Sequence, residues 1–332
     1  MSKVSIIVPV YNGERYIDRF ANCISSQDTD NFELIFINDG STDATGLKLD
    51  VLKQNLNVEV SVIQQGNKGV SAARNVGIEH SNGDIICFCD IDDQITNDYI
   101  STFLQLMEDP NIDVAVCNSI VVKGPRIRPY TNDRLCNISY MTSEESLNAF
   151  LYMRRAFCVC GEAIRKKLIT DNNIRFEEGY KYNEDLYFMW KVLSYTRLVA
   201  LVDKTMYYYI WHDGSAMAKF ERTRFDGYHL MKKLEGFFEQ NRPDFYPLYK
   251  RYAAARLMWS IVRQAASFFG SYKDFSNFFK EYNVKDEMKK LLSYPVFLIK
   301  ISSFIYICSP FLFYKFVGAY GRKTTHFINC NG

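Results

Sequence analysis

Along the first third of this chain, short unbroken apolar runs alternate with stretches where apolar residues recur every three or four positions. Val4-Ser5-Ile6-Ile7-Val8-Pro9-Val10 is β-branched and apolar, the composition of a central strand stopped by its proline. Residues 14–26 carry apolar side chains at 16, 17, 20, 21 and 24, a helical spacing. The alternation then repeats, with strands expected at 32–37, 58–63, 84–89 and 112–118. Helices are expected at 44–55, from Ser71 onward and at 96–108. This order predicts an α/β fold built on a doubly wound, mostly parallel sheet, covered on both faces and joined by right-handed crossovers.

After residue 118 the pattern loosens. Residues 119–140 read as an irregular excursion over the site, and 142–170 mix helix and strand. Asn183-Glu184-Asp185 precedes an amphipathic helix to about residue 194, and 198–202 and 206–210 read as two strands. Beyond 216 the chain turns helical, with long aromatic and basic helices at 225–239 and 247–270. Residues 291–320 are strongly apolar but interrupted by Lys300, Pro310 and Lys315. The stretch between the two lysines, about 14 residues, falls short of the roughly 20 that a spanning helix needs. It suits a helix lying in a membrane interface, or one packed on the first domain.

With 332 residues, 48% hydrophobic and 23% charged, the composition is that of a globular protein with ample core. The net charge of +2 hides an asymmetry. Residues 1–215 hold 21 Lys and Arg against 29 Asp and Glu, and residues 216–332 hold 19 against 9. An acidic front half suits a cation; a basic, aromatic rear suits an anionic partner. Nine cysteines without a CxxC pair read as small core residues in a reducing compartment, and Met1-Ser2-Lys3 leads directly into the first strand without a signal peptide.

Four pieces are expected at the carboxyl ends of successive strands: Pro9-Val10-Tyr11, Asp39-Gly40, Asn67-Lys68-Gly69 with Arg74, and Asp90-Ile91-Asp92-Asp93. In a doubly wound sheet such ends share one crevice, where ligands collect. Three carboxylates within four residues at the tip of a buried strand repel one another unless something positive sits among them. A hard divalent cation, Mn²⁺ or Mg²⁺, carrying a nucleotide phosphate answers that need. A D-x-D by itself is weak and more often a solvated turn; convergence of the four pieces strengthens the reading. Tyr11 is suited to stack on a base, Asp39 to accept from it, Arg74 to meet phosphate or a base carbonyl, Asp90 to hold ribose hydroxyls and Asp92 to bind the cation. No G-x-x-x-x-G-K-[ST] loop is present, and Tyr-Asn-Gly rather than G-x-G-x-x-G follows the first strand. The first fact argues against ATP hydrolysis and the second against a bound dinucleotide.

The motifs in this order resemble family 2 glycosyltransferases with the GT-A fold. The opening run 4–12, Asn38-Asp39-Gly40-Ser41-Thr42-Asp43, the stretch Asn67 to Gly77, the DXD at Asp90–Asp92, Asn183-Glu184-Asp185, and Tyr207-Tyr208-Tyr209 with His212 and Ser215 carry the likeness. It implies a catalytic domain over 1–215, with a nucleotide-sugar half at 1–118 and an acceptor half at 119–215, then a helical region at 216–332. It implies inverting transfer from a nucleotide-diphosphate sugar, with uridine the expected base, to an acceptor hydroxyl in surface polysaccharide or lipopolysaccharide synthesis. By the same likeness Pro9, Tyr11, Asp39, Asn67, Gly69, Arg74, Asp90, Ile91 and Asp92 bind the donor. Asp92 binds metal and Asp185 is the general base, with Glu184 beside it as the other candidate; His212 reads as a further metal ligand or as a structural histidine. The family often has Arg where this chain has Ile210, so either Lys204, Arg222 or another cation substitutes, or the loop works differently. A lipid-diphosphate-linked acceptor and a peripheral place on the cytoplasmic membrane face fit the basic rear. The competing readings are a nucleotidyltransferase, which would bring a Gly-rich basic first loop, and an inactive assembly protein, against which the intact Asp90, Asp92 and Asp185 speak. Scattered basic residues without a compact motif argue against nucleic acid.

Overall fold

A computed structural model of the chain describes residues 2–123, 137–212 and 220–324, with side chains to 318. The chain gathers into two compact units. The first takes residues 1–147, 157–179 and 184–213; the second takes 148–156, 180–183 and 214–332.

The first unit is a single mixed sheet. Its strands are β1 (Val4–Val10), β2 (Phe32–Asp39), β3 (Glu59–Gln65), β4 (Ile85–Phe88), β5 (Gln94–Ile95), β6 (Ile112–Lys123), β7 (Ile138–Thr142), β8 (Glu162–Arg165) and β9 (Leu198–Trp211). Their order is β3-β2-β1-β4-β8-β6-β9-β5, with β7 also paired to β9. The first four run parallel, as the alternation predicts. The fifth position departs from expectation. β8 inserts antiparallel between β4 and β6, so the strand at 112 does not extend the parallel block directly. Sequence distance hides this, because β6 ends at Lys123 and β8 begins only at Glu162.

Three other expectations change. Residues 119–140 are not wholly irregular: β6 runs on to Lys123 and β7 begins at Ile138, while 124–136 lie outside the described residues. The two strands expected at 198–202 and 206–210 are one, because β9 carries Asp203-Lys204-Thr205 through register shifts against Val116–Ser119 of β6. Of the cysteines, Cys87, Cys89 and Cys117 are core residues, but Cys158 and Cys308 are exposed.

Helices α1 (Ile17–Ser25), α2 (Thr45–Asn55), α3 (Val70–His80), α4 (Tyr99–Leu106), α5 (Ser143–Leu151), α6 (Lys166–Asp171) and α7 (Glu184–Tyr195) flank the strands. β1 is buried on both faces: Val4, Ile6, Val8 and Val10 join a core with Phe20, Phe36 and Leu49, while Ile7 meets α3. At Gly77 of α3 an added Cβ would lie 2.3 Å from Ile7 Cγ2. The small residues of α3 therefore set how closely it approaches the sheet.

The second unit contains α8 (Asp226–Asn241), α9 (Tyr246–Phe268), α10 (Tyr272–Phe278), α11 (Val284–Lys290), α12 (Phe297–Cys308) and α13 (Pro310–Thr324). Arg222 pairs with Glu281 here, 2.9 Å apart. The apolar stretch 291–320 is two helices, not one; the break at Ser309-Pro310 follows from a proline that has no N–H to continue a helix. Among the described residues no helix is long and apolar enough to cross a membrane.

Candidate active site

The site is assembled on turns that hold each other. After β1, Asn12 takes a left-handed φ of 49° and its side chain accepts from Thr42 N, while its own N–H donates to Ser41 Oγ. Gly13 N donates to Thr45 Oγ1, and Asp43 Oδ1 accepts from Thr45 N at the start of α2. Asp39 at the end of β2 is buried. It accepts from Gln65 Nε2 at 2.7 Å and from the N–H groups of Lys68 and Gly69 at 2.8 Å. The loop 66–69 after β3 is thus folded around one carboxylate, with Gly69 at φ 89° leading into α3. Gly40, at φ 71°, faces Asn67 N, which an added Cβ would meet at 2.6 Å.

At the tip of β4 the four-residue acidic turn is tied from several sides. Asp93 is buried and accepts from Tyr207 Oη at 2.6 Å and Ile210 N at 2.9 Å, both on β9. Asp90 N donates to the same Tyr207 oxygen. The Asp92 carbonyl accepts from Arg19 of α1. Asp92 Oδ2 lies 2.6 Å from His212 Nε2, which is 3.1 Å from Tyr16 Oη. Position 210 therefore contributes its backbone to the turn, where an arginine side chain was expected to matter. Lys204 does not stand in for that arginine, since its ammonium is buried against Asp98.

Arg74 has different surroundings from those expected. It is buried, not open to a base: Nη2 donates to Asp90 Oδ1 at 3.1 Å and Nη1 to Glu184 Oε1 at 3.0 Å. Its plane lies over the Phe176 ring, which stacks on Phe188 with centroids 4.0 Å apart. One guanidinium therefore joins the DXD turn to the start of α7. Burial works against its charge, but the negative groups around it, Asp90 first, push its pKa above the ordinary arginine value.

The remaining expected residues divide clearly. Tyr11 is 52% exposed and free to stack. Pro9 is half-buried, and Asn67 and Gly69 are exposed. The Ile91 side chain is buried beneath Gly13, so it packs and does not face solvent. Asp185 is half-buried in the first turn of α7, with Oδ1 accepting from Leu186 N. Ser215 lies outside the described residues. Tyr16 and Arg19 were not singled out from the sequence; Asp93 and Tyr207 were, as one of the clustered carboxylates and as part of the Tyr run, but their bond to each other was not. The Tyr run was a signal for Tyr207, but its partner is a turn more than a hundred residues away.

The electrostatics are those of acids short of positive charge. Burial and the neighbouring Asp90 raise the pKa of Asp92, and burial with Asp90 and Asp92 pushes Asp93 up to about 8. Glu184 is pushed up to about 7 by burial and the Asp185 charge, against the pull of Arg74; Asp185 is raised by burial. The pairing of Glu184 with Arg74 would by itself lower the acid. It is outweighed by burial and by the Asp185 charge. Among the described residues no three His, Cys, Asp or Glu side chains gather closely enough to hold an ion alone. The Asp92–His212 pair nevertheless fits Mn²⁺ or Mg²⁺ in a nucleotide site, where one or two protein ligands are completed by substrate phosphates.

The sequence pattern described as Glycosyl transferase family 2 matches residues 5–172, half of the chain. The chain belongs to glycosyl transferase family 2. Among its relatives, Glycosyltransferase GlyA of Streptococcus pneumoniae is 30% identical over 64% of this chain and 31% of its own length. TarS of Staphylococcus aureus, a poly(ribitol-phosphate) beta-N-acetylglucosaminyltransferase, is 30% identical over 70% of this chain and 40% of its own length. The chain thus spans a third to two fifths of these two relatives. The crystal structure of S. aureus TarS 1–349 in complex with UDP-GlcNAc aligns with a TM-score of 0.68 at 21% identity, covering 97% of this chain and 92% of that one. That likeness is one of fold: the family 2 chain has the GT-A architecture expected from its motifs, followed by a helical C-terminal region.

Proposed function

We propose that this family 2 chain is an inverting glycosyltransferase that moves a sugar from a UDP-sugar to an acceptor hydroxyl of a cell-surface polymer. The observation that carries the reading is Arg74, which joins Asp90 of the DXD turn to Glu184, beside Asp185, at one edge of the sheet. Donor handling and acceptor activation are thereby coupled through one buried cation. The complex of TarS with UDP-GlcNAc and that protein's named polymer support the donor and acceptor classes.

Each residue then has a task. Tyr11 stacks on the base. Asp39, with a lone pair remaining on Oδ2, accepts from the base N–H, and Asp90 meets the ribose hydroxyls. Asp92 and His212 would hold Mn²⁺ or Mg²⁺. When bound, the cation offsets the charge that develops on the departing diphosphate. Asp185 takes the proton of the acceptor hydroxyl, whose oxygen attacks the anomeric carbon opposite the diphosphate. The bond between the anomeric carbon and the diphosphate oxygen breaks, and its electron pair leaves with the nucleoside diphosphate. The raised pKa of Asp185 makes it a stronger base than an ordinary aspartate at neutral pH. One carboxylate suffices because the leaving group needs no protonating acid, and a single displacement inverts configuration. Residues 1–118 form the nucleotide-sugar half and 119–215 the acceptor half, with the chain working peripherally at a cytoplasmic membrane face on a lipid-diphosphate-linked glycan.

A donor screen with Mn²⁺ or Mg²⁺ present tests this. Release of nucleoside diphosphate, with inverted configuration of the product by NMR, is expected. Release of pyrophosphate would instead make the chain a nucleotidyltransferase.

A further inference from the structure

Helices α12 and α13 hold large apolar side chains out in solvent. On α12, Phe297 (68% exposed), Leu298 (75%), Ile301 and Phe304 fall on one helical face. On α13, Phe311, Leu312 and Phe316 (65%) form a second exposed group. These helices are not loosely attached. Ile299, Ser303, Tyr306, Phe313 and Tyr314 face inward and are buried, and α13 packs along α9. Trp259 Nε1 donates to Ser302 Oγ at 2.9 Å and Tyr314 Oη donates to the Phe269 carbonyl at 3.0 Å. A well-packed pair of helices therefore presents an apolar outer surface of a kind that soluble monomers seldom expose.

Charge selects the occupant. From residue 288 to 332 the chain has Lys289, Lys290, Lys300, Lys315, Arg322 and Lys323, and no aspartate or glutamate. Lys300 is exposed at the flank of the α12 face, and Lys315 is exposed among the α13 phenylalanines with its ammonium over the Phe311 ring. Neither forms an ion pair among the described residues. A face with cations only would repel a second copy of itself, whereas it complements an anionic lipid surface.

We propose that the outer face of α12–α13 seats in the headgroup region of an anionic lipid bilayer. Phe297, Leu298, Phe304 and Phe316 enter the acyl boundary, and Lys300 and Lys315 reach lipid phosphates. This deepens the peripheral-membrane reading above by naming the surface and the lipid charge, and its test needs no turnover. The full chain is floated with vesicles of phosphatidylcholine alone or with phosphatidylglycerol added. Co-flotation is expected with the anionic vesicles and to weaken in high salt. L298E/F304E is expected to lose at least tenfold in partition, and K300E/K315E about fivefold or more for each lysine. UDP binding by calorimetry is expected to be unchanged in both, which also shows that they fold. Absence of wild-type flotation, or equal flotation of L298E/F304E, overturns the proposal. So does a concentration-dependent dimer in analytical ultracentrifugation that L298E/F304E abolishes, since the face would then bind a second copy. Flotation without any sugar transfer would refute the catalytic reading and leave this one standing.

Discussion

The two edges of the same sheet treat a buried acid in opposite ways. At the edge where the parallel strands begin, Glu33 of β2 is 1% exposed and fully satisfied. It accepts from Ser5 Oγ and Asn82 N at 2.5 Å, from Gly83 N at 3.1 Å and from Asn82 Nδ2 at 3.1 Å, and Lys3 lies 3.9 Å away. Burial alone would raise its pKa; these bonds outweigh burial and hold it below the usual glutamate value. At the edge where the strands end, Asp92, Asp93, Glu184 and Asp185 are all raised. The first acid is complete and serves the fold. The second group is short of donors and positive charge, which a cation and a substrate would bring.

That contrast can be broken most severely at Asp185. Asp185→Asn should lower turnover by about a thousandfold while UDP affinity stays the same. Near-normal turnover, measured as UDP released from donor and acceptor, would move the base to Glu184 or elsewhere. Next is Asp92→Ala, which should abolish the Mn²⁺-dependent part of UDP binding in calorimetry, an effect on the order of a hundredfold. Unchanged binding would remove Asp92 from the cation site.

The opposite edge should respond in stability and not in chemistry. Glu33→Ala leaves buried donors without an acceptor and should cost about 3 kcal/mol in urea unfolding, with UDP affinity preserved in the folded fraction. Its pH signature also has a definite sign. A lowered folded pKa contributes stability that is present above the ordinary value of 4.5 and lost as pH falls through the folded value. Glu33→Gln should therefore flatten the acid limb of the stability curve. Glu184 has the reverse sign: its contribution is present below 4.5 and lost as pH rises through about 7. Wild type should lose stability relative to Glu184→Gln over that interval, and matching slopes for the two variants would erase the distinction between the edges. The smallest effect is expected from Tyr16→Phe, about a tenfold loss of Mn²⁺ affinity through a less well-oriented His212. An unaltered affinity would leave Tyr16 a packing residue.

The parallel block, its strand ends and the acidic turn were legible along the chain because each depends on local signals: unbroken β-branched runs, helical spacing and turn residues within a few positions. The break near Pro310 was marked by the proline itself, though its consequence, two helices with an exposed outer face, was not. What sequence alone determined is which chemical groups stand at the ends of β1 to β4 and that the rear of the chain is basic and apolar. Only the tertiary structure decided that β8 separates β4 from β6, that Arg74 faces Asp90 and Glu184 instead of a base, and that Tyr207 and Tyr16 hold Asp93 and His212. Those partners lie up to about two hundred residues apart, and no local pattern records them. A buried charge settles against whichever opposite charge folding brings within a few ångströms, because in a poorly screened interior that proximity dominates its free energy.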